Sequence, residues 1–365
     1  MPIEADNLIK VLVVDDSAFM RKVISDILNS DEKIKVVGTA KNGAEAIEKV
    51  CGLNPDIITL DVEMPVMDGL TCLEKLTEIC DIPVLMLSSL THEGSAATIK
   101  ALERGAIDFV AKPTNIFNMA SNEKKVELIG KVKFIANLRY KVKKSKAEEE
   151  GRETIKKSSR LAKSDKKSQK EEEVKKIVAI GVSTGGPKAL REVIPLLPAD
   201  FPAAVLVVQH MLPGFTKSLA ERLDSISEIE VKEAEDGEII RAGYVYIAPG
   251  DYHMRVKFDE DGKLGIKLSD EVPVGGHRPS IDIMMESLSD TRLSNITAVI
   301  MTGMGGDGSE GVKKIKNINN GYIIAQDEKS CIVFGMPKVA IDTGVVDTVV
   351  SLDGIAKEIR RIVGV

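Results

Sequence analysis

Three polar residues in the C-terminal half each stand where an apolar, strand-like run stops. Ser183 follows IVAIGV, His210 follows AVLVVQ, and Asp307 lies in the glycine-rich loop after ITAVIM. If these runs are parallel strands of one sheet, their C-terminal ends share an edge, where open α/β sheets place their sites. A serine, a histidine and an aspartate meeting there have the types needed for nucleophile, base and orienter in acyl or ester chemistry. GVSTGGP also satisfies G-x-S-x-G, the pattern of a serine held at a sharp strand-to-helix turn. Pro187 suits a helix's first turn, where its missing N–H costs nothing, and the free N–H groups of that turn would face a developing oxyanion. Of the four histidines, His92 belongs to the N-terminal half, while His253 and His277 lie in glycine-bearing loops. Only His210 directly follows an apolar strand. The bland alternatives are a capping serine, a buried hydrogen-bonded histidine and an aspartate that caps a helix.

The loop TGMGGDG carries a rival reading. Gly303, Gly305 and Gly308 match G-x-G-x-x-G after a strand, and Asp327 follows about 20 residues on, as in a dinucleotide-binding unit. Two arguments weigh against it. Asp307 would set a carboxylate against the pyrophosphate, and the loop comes too late for the rest of such a unit.

A second set of strand-end residues occupies the N-terminal third. Asp15 and Asp16 end the first strand, Asp61 the third, Ser88 the fourth and Lys112 the fifth. Clustered carboxylates repel one another unless a cation joins them, and hard Mg²⁺ prefers oxygen ligands. The lysine could balance charge if Asp61 became an acyl phosphate, and the Ser88 hydroxyl could bond a phosphoryl oxygen. A helix N-cap is the alternative for any one of these aspartates.

Two α/β domains must position these groups. From about residue 9 to 115, the apolar strands KVLVVDD, KVVGTA, IITLDVEM, PVLMLSS and IDFVAKP alternate with segments of helical spacing. Five such units make a compact doubly wound domain. A further helix is expected over 123–142, with Val126, Ile129, Val132, Phe134, Ile135 and Leu138 on its apolar side. Residues 143–173 are nearly all Lys, Glu, Ser or other small polar types, and read as a charged flexible linker. Alternation resumes over 174–365. The 365 residues carry 43% hydrophobic types, enough for two cores, and a net charge of -6 argues against a nucleic-acid binder. No apolar run approaches the roughly 18 residues of a membrane span. The acidic N-terminus runs straight into a strand, unlike a signal peptide, and four scattered cysteines suit reduced thiols in the cytoplasm.

Residues 9–118 resemble a response-regulator receiver domain, with a flavodoxin-like fold. The resemblance implies that Asp61 accepts phosphate from a chemotaxis histidine kinase. It also implies Mg²⁺ held by Asp15, Asp16, Asp61 and the main-chain carbonyl of Glu63. Ser88, Phe109 and Lys112 match the family's switch hydroxyl, aromatic switch residue and lysine. Residues 175–360 carry GVSTGGP, VVQHM, GGHRPSID, TGMGGDG and VFGMPK in order. They resemble the protein-glutamate methylesterases of bacterial and archaeal chemotaxis, a Rossmann-like doubly wound domain. This second resemblance implies hydrolysis of glutamate γ-methyl esters, and deamidation of glutamines, on methyl-accepting chemoreceptors, with no cofactor in that domain. Ser183, His210 and Asp307 match the nucleophile, base and orienter, and Thr184 and Met304 the positions whose N–H groups serve the oxyanion. His277-Arg278-Pro279-Ser280 matches a family motif with no role readable from sequence. The expected layout is a receiver over 1–122, its helical extension over 123–142, the linker over 143–173 and a catalytic domain over 174–365. A phosphorylated receiver is expected to release the esterase. A non-catalytic binding output is the remaining rival, with no helix-turn-helix or basic stripe to support it.

Overall fold

The computed structural model describes residues 8–89, 91–112, 122–146 and 174–365. The chain divides into two units, Met1–Ala162 and Lys163–Val365. The first unit alternates β1 (Ile9–Val14), α1 (Ala18–Asn29), β2 (Ile34–Ala40), α2 (Gly43–Leu53) and β3 (Ile57–Asp61). It continues with α3 (Gly69–Ile79), β4 (Val84–Ser88), α4 (His92–Glu103), β5 (Asp108–Ala111) and α5 (Asn122–Lys146). Its strands pair in the order β2-β1-β3-β4-β5, all parallel. The strand order reverses between β1 and β3, so the crevice of the sheet opens where Asp15 and Asp61 stand. β3 and β4 are buried along their whole length, as strands covered on both faces must be. Helix starts are fixed locally: Ser17, Asn42, Asp68 and Thr91 each cap one of α1 to α4 by accepting an N–H from the first turn. The capping aspartate of the third loop is therefore Asp68, which leaves Asp61 for the crevice.

Helix α5 departs from expectation. It runs to Lys146, beyond residue 142, and buries Leu128, Val132, Ile135 and Ala136 against β1, β3 and α1. Val126, assigned to the apolar side, is 69% exposed. The i, i+4, i+7, i+8 spacing from Leu128 selects the buried face, and Val126 lies half a turn away from it. The Leu138 side chain and the linker from residue 147 lie outside the described residues.

The second unit is larger. Its strands are β6 (Ile177–Val182), β7 (Ala204–Gln209), β8 (Glu230–Glu233), β9 (Tyr244–Ile247), β10 (His253–Phe258), β11 (Leu264–Ser269), β12 (Ile296–Ile300), β13 (Tyr322–Gln326) and β14 (Thr348–Val350). Its helices are α6 (Gly186–Val193), α7 (Phe215–Asp224), α8 (Ile281–Asp290), α9 (Ser309–Asn319), α10 (Met336–Asp342) and α11 (Leu352–Val363). Seven strands form one parallel sheet, β14-β13-β12-β6-β7-β9-β8, while β10 and β11 make a separate antiparallel hairpin. The chain starts at β6, builds outward through β7, then returns to β12 on the other side. The crevice therefore lies between the ends of β6 and β12, which carry Ser183 and the loop of Asp307. Both units are doubly wound α/β domains, as the sequence leads one to expect.

One loop residue is strained. Val66, after β3, has φ +69 and is 88% exposed, so a β-branched side chain occupies the left-handed region while burying little. Val66→Asn should stabilise the first unit by about 1 kcal/mol, because asparagine tolerates that region. The check is the midpoint of this unit's transition in a calorimetric scan of the whole chain. A lowered midpoint would show that the valine makes compensating contacts.

Candidate functional site

The β6–α6 turn holds Ser183 by its main chain. Ser183 N–H donates to Thr302 C=O at 3.0 Å, and its own carbonyl accepts from Gly186 N at 2.8 Å and Gln209 Nε2 at 3.0 Å. Gly185, at φ +79, completes the turn, and Pro187 occupies the first turn of α6. Gly303 packs directly on the serine. A Cβ there would stand 2.8 Å from Ser183 Cβ and 2.3 Å from Met336 Sδ, so only glycine allows this approach. In the β6–β7 register Val182 faces Gln209, and His210 N–H donates to Val182 C=O at 3.2 Å. Ser183 and His210 are thus the next residues on two adjoining strand ends.

Asp307 reaches His210 from the β12 side. His210 Nε2 lies 2.7 Å from Asp307 Oδ2, with side chains 5% and 8% exposed. Asp307 also accepts from Ser280 Oγ (2.9 Å), Ile281 N (2.7 Å) and Asp282 N (3.0 Å), the start of α8. Burial opposes its ionisation, but the hydrogen bond and charge of His210 and the N–H groups of Asp282 and Ile281 outweigh it. They hold Asp307 well below the usual carboxylate range. In the neutral imidazole, an ionised Asp307 makes Nε2 the protonated nitrogen, which leaves a lone pair on Nδ1. Nδ1 is buried without a hydrogen-bond partner among the described residues. In the familiar serine-protease arrangement these two nitrogens have the opposite roles.

The remaining predicted residues flank this pair. Thr184 is buried, with its carbonyl accepting from Thr302 Oγ1 at 2.9 Å, and Met304, next to Gly303, is 40% exposed. Sequence reasoning missed a supporting layer. His277 stacks on His210, with ring centroids 3.9 Å apart and planes within 7°. Ser280 N–H donates to Nδ1 of buried His253, whose Nε2 lies 3.2 Å from Val272 C=O. The unassigned GGHRPS motif was the available signal. The dinucleotide reading fails in the same loop. Asp307 is saturated by protein donors, and Asp327 Oδ1 is closed in a turn with Ser330 N (3.0 Å) and Oγ (2.6 Å).

In the first unit Asp15, Asp16 and Asp61 bring carboxylate oxygens within 4.8 Å of one another. Lys112 Nζ bridges two of them, 2.7 Å from Asp15 Oδ2 and 2.6 Å from Asp61 Oδ2. Burial, and the charge of Asp15, push Asp61 up to about 6 although Lys112 opposes the shift. One lysine does not neutralise three carboxylates, and an all-oxygen donor set short of positive charge suits a hard divalent cation. Glu63 N–H lies 3.4 Å from Asp61 Oδ1. Ser88 Oγ accepts from Thr98 Oγ1 at 2.6 Å and lies 3.2 Å from Gly94 C=O, at the start of α4. Phe109 is buried, with Lys131 Nζ 5.5 Å from its ring centroid and 2.7 Å from its carbonyl.

Residues 178–359 match the CheB methylesterase family and residues 11–122 the response regulator receiver domain. The protein-glutamate methylesterase/protein-glutamine glutaminase 1 of Syntrophomonas wolfei subsp. wolfei is 49% identical over 353 residues, 96% of this chain and 98% of that protein. The chain belongs to the protein-glutamate methylesterase/protein-glutamine glutaminase family. An archaeal member from Pyrococcus horikoshii is 47% identical over 363 residues, covering 97% of this chain and 94% of that protein. The crystal structure of the Thermotoga maritima CheB methylesterase catalytic domain covers 52% of this chain and 97% of its own, at 48% identity and a TM-score of 0.49. No helix among the described residues is long and apolar enough to cross a membrane.

For this family member, Asp282 offers a test of the electrostatics around Asp307. Its carboxylate accepts from Gly311 N at 2.7 Å. Burial, and then the charges of Asp307 and Glu286, push it up to about 6 against that hydrogen bond. A carboxyl raised in the folded state keeps its proton between about pH 4 and 6, where the unfolded chain has released it. Its contribution to stability is therefore full below pH 4 and lost as pH rises through 6. Asp282→Asn retains an acceptor for Gly311 and removes the titrating charge. After discounting for partial exposure, the variant should be more stable than its parent by about 1 kcal/mol at pH 8. No gain is expected at pH 4. Urea denaturation at the two pH values measures this, and an equal gain at both would refute it.

Proposed function

We propose that the second unit is a serine esterase that hydrolyses glutamate γ-methyl esters on chemoreceptors, and deamidates receptor glutamines, under control of the phosphorylated receiver. The observation that carries this is the His210–Asp307 pair, with Nδ1 lacking a hydrogen-bond partner among the described residues and His210 itself at the strand end next to that of Ser183. In this reading Nδ1 takes the Ser183 proton as Oγ attacks the ester carbonyl. Asp307 stabilises the imidazolium that forms, and the N–H groups of Thr184 and Met304 serve the oxyanion. His210 then returns the proton to the departing methoxide, which leaves as methanol, or to the departing amine of glutamine, which leaves as ammonia. Water, deprotonated by the same nitrogen, attacks the acyl-enzyme and releases carboxylate and Ser183.

In the receiver, Asp61 accepts a phosphoryl group from a chemotaxis histidine kinase, with Lys112 balancing charge and Ser88 and Phe109 serving as switch residues. The carboxylates of Asp15, Asp16 and Asp61 and the Glu63 carbonyl would hold Mg²⁺, which supplies charge neutralisation for phosphoryl transfer. Such a protein works in the cytoplasm, where receptors, kinase and phosphodonors meet it.

Ser183→Ala or His210→Ala should lower methanol release from methylated chemoreceptor by at least about 10³-fold, and the double variant little further, because triad members act as a unit. Release from Ser183→Ala at the parent rate would end this mechanism. Separately, a small phosphodonor with Mg²⁺ should label Asp61 alone, and chelation should abolish the label. Label that persists in Asp61→Asn would place the acceptor elsewhere.

A further inference from the structure

Among the described residues, the His210 ring is hydrogen-bonded at one edge only. The Nε2–Asp307 hydrogen bond fixes one end of the imidazole, but a ring anchored there can still pivot about that bond. Pivoting would displace Nδ1, and no hydrogen bond among the described residues restrains it. One contact that lies along the ring plane is the parallel imidazole of His277, its centroid 3.9 Å away.

We propose that His277 is a positioning residue for the esterase, its flat ring fixing the plane of His210 and facing the imidazolium that forms as Ser183 is deprotonated. This rests on the reading of Ser183, His210 and Asp307 as the reacting set.

The segment that carries His277 is itself fixed from both sides. Before it, Val274 and His277 exchange both main-chain hydrogen bonds, at 3.0 and 2.9 Å, around Gly275 and Gly276. Both glycines have positive φ, +59 and +84, as a two-residue type I′ turn requires. After it, the Arg278 guanidinium binds Asp251 Oδ1 at 2.6 Å and the carbonyls of Asp270 (2.7 Å) and Glu271 (3.0 Å). Arg278 C=O also accepts from Asp251 N at 3.1 Å. Pro279 and Ser280 then lead into α8, where Ser280 Oγ bonds Asp307. The sequence thus places one ring on His210 and, three residues later, a hydroxyl on the carboxylate that orients His210. A merely space-filling side chain would not need a flat face parallel within 7°.

The experiment compares His277→Ala, His277→Leu and His277→Phe in the full-length protein, each first shown to melt cooperatively. Leucine keeps apolar bulk and water exclusion, whereas phenylalanine also keeps the flat face. The readouts are kcat and KM for methanol release, and the rate at which a fluorophosphonate probe phosphonylates Ser183 with loss of fluoride. Alanine and leucine should slow both kcat and probe labelling about 10- to 100-fold, with KM within about twofold, as a misplaced general base predicts. Phenylalanine should restore both rates to within about threefold of the parent. Parent-like rates for leucine, equal losses for leucine and phenylalanine, or an effect confined to KM would each overturn the proposal. Ser183→Ala is the control for the underlying reading. If it still releases methanol at the parent rate, the triad assignment has failed, whatever His277 does.

Discussion

The Asp307 carboxylate is the point on which the arrangement of the candidate site, and the chemistry proposed for it, depends. It lies almost out of water, yet four donors converge on it: His210 Nε2, Ser280 Oγ and the main-chain N–H groups of Ile281 and Asp282. Two of these are the otherwise unpaired N–H groups at the start of α8, where the helix dipole also favours negative charge. The same contacts therefore cap a helix, keep a buried carboxylate ionised and set which nitrogen of His210 carries the proton. Remove the charge and the imidazole has no reason to hold its tautomer. Fold and chemistry share one interaction.

The two units answer one topological problem with opposite electrostatics. Each sheet reverses its strand order beside its site, between β1 and β3 in one and between β6 and β12 in the other. A crevice forms at each reversal, because neighbouring connections leave in opposite directions. In the second unit the crevice carboxylate is fully satisfied by fixed donors, so its charge is permanent and its geometry rigid. In the first, three carboxylates share one lysine, and Asp61 is left at about 6. A group so poorly neutralised responds strongly to any added charge, positive or negative. Permanence suits the orienting role proposed for Asp307, and responsiveness the phosphoryl-accepting role proposed for Asp61.

What the sequence revealed divides along physical lines. Strand ends were legible, because a buried parallel strand is an unbroken apolar run and its first polar residue marks the edge. Ser183, His210, Asp61 and Lys112 could therefore be placed by inspection. The partners of Asp307 were not legible. It caps α8, a helix that begins 26 residues before it in the chain, and no local pattern reports such a contact. His277 was hidden for a similar reason, since a loop histidine looks the same whether it faces solvent or another ring. Helix α5 was misread at one end because its first turns hold apolar residues on more than one side, and packing selected the face of Leu128 over that of Val126.

The inverted imidazole follows from strand order. Asp307 comes from the loop after β12, two strands away from β7, with β6 between them. Nε2 is the ring nitrogen farther from the main chain, so it is the one with the reach to meet an acid on the far side of β6. Nδ1 lies closer to the backbone and has no hydrogen-bond partner among the described residues. Two strand ends adjoin that of β7: the end of β9, and that of β6, where Ser183 follows the residue paired with Gln209. The long reach to Asp307 is met by one ring orientation, which leaves Nδ1 on the backbone side. A sheet with the serine and acid strands exchanged would call for the opposite tautomer. The order of three strands, set by the crossovers that build the sheet outward from β6, thus decides which nitrogen bonds Asp307 and, in the proposed mechanism, which is left to act as the base.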